Sequence, residues 1–115
     1  MPRKIYNKLI RDGIHAVMDR KGLKYKTRIM DETEYRKAAR QKVVEECMEI
    51  VNAANREKLI EELADLAEIV RAVCDAEKIS ATEIEDIRAQ KETKRGAFKK
   101  RLFLEYVDEP DGYSR

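Results

Sequence analysis

Residues 42–70 read KVVEECMEIVNAANREKLIEELADLAEIV, and the spacing in this stretch predicts two amphipathic helices joined by a short polar connector. At 100° per residue, Val43, Val44, Cys47, Met48, Ile50 and Val51 fall on one broad arc of the earlier helix. Leu59, Leu63, Leu66, Val70, Val73 and Cys74 form the matching arc of the later one. Both arcs are expected to face a core, with the two cysteines as small core residues. At one edge of each arc stands a pair of acids, Glu46 with Glu49 and Glu62 with Asp65. Their stripes continue as the apolar positions Ala53, Ile69 and Ala72, so the four carboxylates are expected to be partly buried.

Working outward, the punctuation sets four helices. Asp31 is an N-cap candidate with Glu34 in capping-box register, opening a helix that runs to about Ala54 with Asn55 as its stop. The next helix spans about Glu57–Glu77, and Ser80 with Glu83 opens a fourth over Ala81–Lys94, closed by Gly96. Before them, a first helix over Lys8–Arg20 is expected to stop at Gly22. The run Leu102, Phe103, Leu104, Tyr106, Val107 is rich in β-formers and predicts a short C-terminal strand over 100–107. The tail from about residue 108, with Pro110 and Gly112, is expected to fray. The expected architecture is therefore all-α: an antiparallel bundle of about four helices with a short C-terminal β-strand, in one domain covering residues 1–115.

Composition narrows the chemistry. The 115 residues are 42% charged and 43% hydrophobic, with 4 Gly, 2 Pro and no Trp, which favours helices over a sandwich or a glycine-loop nucleotide fold. One histidine, His15, and two cysteines 27 residues apart cannot build a Cys/His zinc cluster or a disulfide framework. No apolar run approaches ~18 residues and residues 1–11 lack a signal-peptide stretch, so a cytoplasmic protein with no membrane partner is expected. The net charge of +2 conceals segregation: residues 1–42 carry +8, residues 43–87 carry −9 and residues 88–115 carry +3. Such an acidic block is either a solvated surface or a cation site whose basic flanks meet an anionic ligand.

The positions of the acids weigh against a surface. Helix surfaces normally pair an acid with a base three or four residues away. The corresponding neighbours of Asp65 are Glu61, Glu62, Glu68 and Ile69, and those of Glu49 are Glu45, Glu46, Asn52 and Ala53. Four carboxylates converging across a helical hairpin would supply hard oxygen ligands suited to Mg²⁺ or Mn²⁺. A merely solvated acidic ridge is the competing reading.

Glu46-x-x-Glu49, a gap of 12 residues and then Glu62-x-x-Asp65 resembles the metal-binding signature of the MazG-like superfamily of all-α nucleoside triphosphate pyrophosphohydrolases, which includes phosphoribosyl-ATP pyrophosphohydrolase. Residues 6–12 (YNKLIRD), 94–98 (KRGAF) and 101–104 (RLFL) resemble a single-domain, phosphoribosyl-ATP-pyrophosphohydrolase-like subgroup, although Gly13 and His15 stand where that subgroup tends to have Lys and Pro. The resemblance implies hydrolysis of a nucleoside triphosphate, or a related nucleotide, to monophosphate and pyrophosphate, with house-cleaning within that class. It further implies Mg²⁺, or Mn²⁺, on Glu46, Glu49, Glu62 and Asp65, and a homodimer or larger homo-oligomer.

Glu45 or one of the ligands, Glu46 among them, is left to orient the attacking water. A nucleoside triphosphate brings about four negative charges, of which one Mg²⁺ cancels two, so basic side chains must contribute. Lys94 and Arg95 before Gly96 are the first candidates, Lys8 and Arg11 the second, and Lys42 the third. Two rival classes remain: a nucleic-acid-binding module, which the acidic middle disfavours, and a non-catalytic helical interaction protein. Neither needs a metal.

Overall fold

The computed structural model describes residues 2–110; the expected fraying of the tail concerns, in part, residues 111–115, which lie outside the described residues. Four helices form, α1 (Ile14–Arg20), α2 (Glu32–Val51), α3 (Arg56–Glu77) and α4 (Ala81–Arg95), and the described residues contain no strand, so the protein is all-α. Two compact units, Met1–Ala81 and Thr82–Arg115, divide the chain.

In the first unit the defining packing is α2 against α3, an antiparallel hairpin closed by residues 52–55. Asp31 caps α2 as expected, its carboxylate accepting from the Glu34 N–H at 2.8 Å. The reciprocal half of the capping box is absent, because the Glu34 carboxylate is gripped at both oxygens by Arg28 (2.6 Å each). Asn55 is not the stop of α2. Asn52 closes that helix, and Asn55 opens α3 by accepting from the Lys58 N–H at 2.9 Å. At the far end of the hairpin Arg40 donates to Glu77 at 2.7 Å.

The face on which the hairpin closes differs from expectation. Ala39 and Ile69 are the buried apolar residues and Glu46 the buried polar one, so the seam follows the stripes that carry the acids. The apolar arcs are only partly covered in the isolated chain: Val43, Ile50, Leu66, Val73 and Cys74 are half-buried, whereas Val44, Met48, Leu63 and Val70 are exposed, as are Leu59 at 38%, Val51 at 76% and Cys47. Small residues explain the choice. Ala38, Ala39 and Ala53 on one side and Ala72 and Ala76 on the other are buried or half-buried, and alanines let two helix backbones approach closely.

The first helix is shorter than expected. It starts at Ile14 with Gly13 at its N-cap, and residues 8–12 lie outside it, so Lys8 and Arg11 do not share a helical face. Gly13 disfavours helix continuation, and both cations are tied to the hairpin instead. The helix stops as expected at Gly22 (φ +68°), whose N–H donates to Asp19 O while that of Leu23 reaches Met18 O.

The second unit holds the body of α4, on which Arg88 pairs with both Glu85 and Glu92 at 2.6 Å, and an irregular segment after Gly96 (φ +81°). The strand expected over 100–107 does not form. A strand requires a neighbour for its backbone hydrogen bonds, the rest of the described chain offers none, and Arg101 adopts a left-handed φ of +57° that interrupts extension.

Candidate metal centre

The hairpin brings one carboxylate of α2 to two of α3. Glu46, buried, and Glu62 and Asp65, both half-buried, each place an oxygen within 4.8 Å of the others. Glu62 and Asp65 are one helical turn apart, and the antiparallel pairing sets Glu46 opposite them. Octahedral Mg²⁺, with donors at about 2.0–2.1 Å, spaces its ligand oxygens by about 3–4 Å. Small side-chain rotations would bring this set to that spacing, so a hard divalent cation fits the donors present.

Electrostatics records the crowding. The Glu62 carboxyl is pushed above the ordinary carboxylate range, first by desolvation and then by the charges of Glu49, Asp65 and Glu46, against a smaller opposing effect of Lys58. Glu49 is thus near Glu62 electrostatically, but it is exposed and does not belong to the convergent set of three.

Basic groups arrive from outside the acidic stripe. Lys42, mostly buried, lies 3.6 Å from Glu46 and 3.1 Å from Glu45. Lys8 reaches the other oxygen of Glu45 at 3.0 Å. Burial is the largest single influence on Glu45 and raises it, yet the hydrogen bonds and positive charges of Lys8 and Lys42 together outweigh it and hold this carboxyl below its ordinary range. Arg11 Nη2 donates to Asp65 Oδ1 at 2.7 Å. Asp65 therefore has a base after all, drawn from 54 residues away rather than from its own helix. No periodicity in the sequence announces that pairing; only the excess of positive charge in residues 1–42 hints at it.

The remaining candidates fall elsewhere in the chain. Lys94 and Arg95 are the exposed last residues of α4. His15 sits beside Tyr25, ring centroids 5.4 Å apart, with its Nε2 2.8 Å from Thr27 Oγ1, in keeping with a packing role. No helix among the described residues is long and apolar enough to cross a membrane.

Comparison with known proteins gives one result. The family model described as phosphoribosyl-ATP pyrophosphohydrolase matches residues 11–103, a span that contains every acid of the cluster. No curated protein and no solved structure gives a significant match.

Proposed function

Because the chain belongs to the phosphoribosyl-ATP pyrophosphohydrolase family, part of the MazG-like all-α superfamily whose activity is pyrophosphohydrolysis of nucleotides, we propose that it is a divalent-metal-dependent nucleoside triphosphate pyrophosphohydrolase releasing a monophosphate and pyrophosphate. The observation that carries the metal dependence is the convergence of Glu46, Glu62 and Asp65. In this reading those three hold Mg²⁺ or Mn²⁺, and Glu49, adjacent to Glu62, completes the set by rotating inward. Such an ion, when bound, neutralises phosphate charge and makes a bound water acidic.

The chain's own residues do the rest. Glu45 stays ionised between two lysines, which suits it to accept a hydrogen bond from water and orient it, with Glu46 the alternative for that role. Lys8, Arg11 and Lys42 border the acids, where they can meet phosphate oxygens; Arg offers a fork and Lys a point charge. Lys94 and Arg95 are proposed as further phosphate contacts on the strength of the 94–98 resemblance. Residues 1–115 act as one catalytic domain in the cytoplasm, a setting supported by the two free thiols. The exposed apolar arcs of α2 and α3 support a homodimer in which two hairpins complete a four-helix bundle.

A panel of canonical and modified nucleotides incubated with Mg²⁺, with products resolved chromatographically, tests this. Pyrophosphate and a monophosphate are expected. Orthophosphate with a diphosphate would instead identify a phosphatase.

A further inference from the structure

We propose that Arg11 is a displaceable internal counterion: without metal it holds Asp65, and cation loading moves its guanidinium from that carboxylate to the phosphate chain of the substrate. The inference rests on the metal reading above and adds to it a role for the N-terminal segment.

Residues 8–12 are irregular, follow a left-handed Asn7 (φ +46°), and are fastened to both helices of the hairpin, through Lys8 to Glu45 on α2 and through Arg11 to Asp65 on α3. The second attachment lies within the candidate cation site itself, since Asp65 is one of the three convergent carboxylates. Three carboxylates gathered within 4.8 Å are met, among the described residues, by two cations in direct ion pairs, Arg11 on Asp65 and Lys42 on Glu46. A single divalent ion carries as much charge as both and can touch all three acids. Arg11 cannot yield by losing its proton, because a guanidinium remains charged at any working pH. Among the described residues Arg11 holds only Asp65 Oδ1, and a cation that takes this oxygen displaces the guanidinium.

Moving is easy. The Arg11 and Asp65 side chains are 54% and 41% exposed, and pairs of that kind contribute little to stability. The contact therefore weakens metal binding only by about two- to fivefold. Once free, the guanidinium is tethered beside the cation, where the substrate's uncancelled phosphate charge arrives. Linkage then requires that metal promote substrate binding and substrate promote metal binding by the same factor.

The test uses the full chain and Mn²⁺ alone, without nucleotide. Titration calorimetry compares wild type, Arg11→Ala and Lys58→Ala; Lys58 biases Glu62 through space but pairs with Glu61, so it reports the general effect of deleting a nearby positive charge. Amide hydrogen exchange of residues 8–13 is followed in wild type with and without Mn²⁺. Arg11→Ala should bind Mn²⁺ about two- to fivefold more tightly than wild type and more tightly than Lys58→Ala. Mn²⁺ should accelerate exchange in residues 8–13 of wild type. Affinity in Arg11→Ala no tighter than in Lys58→Ala, or exchange unchanged by Mn²⁺, overturns the displacement while leaving the metal site intact. Failure of wild type to bind Mn²⁺ overturns both.

Discussion

Replacing Ile69 by Ala tests the seam that brings the carboxylates together. Ile69 retains 7% of its surface, lies one turn beyond Asp65 on the same stripe, and shares the buried apolar core with Ala39. Truncation to Ala removes a methyl and an ethyl group from that seam. At about 0.8 kcal/mol per buried carbon, the lost transfer free energy is about 2.4 kcal/mol, and the cavity left behind brings the cost to about 2.5–4 kcal/mol. For a chain of this length, that lowers Tm by about 10–20 °C. The variant should still be folded at 25 °C if the parent has an ordinary stability of about 5–15 kcal/mol. Val51→Ala is the matched control: Val51 is 76% exposed, so in a monomer the change should stay within about 0.5 kcal/mol. Urea melts followed by far-ultraviolet circular dichroism, run at concentrations where light scattering shows a monomer, give both values. Should Ile69→Ala fall within about 0.5 kcal/mol of the parent, the scatter of a surface substitution, or Val51→Ala cost as much as Ile69→Ala, then α2 and α3 pack on the apolar arcs rather than on the acid-bearing stripes.

Three further outcomes are expected. Asp65→Asn and Glu49→Gln should each lower Mg²⁺-dependent hydrolysis by about 100-fold or more with helicity unchanged, and full activity in both would return the acids to the surface. The folded protein holds the Glu62 proton more tightly than the unfolded chain does, so stability from this group is present below the unfolded pKa and lost as pH rises through the folded pKa; Glu62→Gln should therefore raise the metal-free Tm at pH 7, with the gain vanishing in acid, and an equal Tm at pH 7 would contradict the crowding. Light scattering at micromolar concentration should give at least twice the 13.5 kDa chain mass, and Val51→Arg should return the mass to that of one chain; a strictly monomeric parent rejects the dimer.

From the sequence alone α2, α3 and α4 were legible, as were three of the four acids expected to cluster, Glu46, Glu62 and Asp65, whereas Glu49 stays exposed outside the set. Helix signals are local: Asp31 meets the N–H of Glu34 three residues on, Gly22 and Gly96 take left-handed φ where a helix must stop, and a period of 3.6 put Glu62, Asp65, Ile69 and Ala72 on one stripe. The same locality explains the failures at Lys8–Gly13 and at 100–107. In the former, Lys8 and Arg11 are held by partners on α2 and α3 and Gly13 disfavours the helix, and the latter have strand propensity without a neighbour to pair with among the described residues. Tertiary structure alone decided which face closes. Hydrophobicity pointed to the valine and leucine arcs, whereas the most buried positions, Ala39, Glu46 and Ile69, lie on the acid-bearing stripes and the arcs are covered only in part, because small side chains there allow closer backbone approach than the bulky arcs do. It also decided where the countercharge comes from. Arg11 and Asp65 are 54 residues apart, and a meeting at that separation is set by how the whole first unit packs rather than by any pattern within a helical turn.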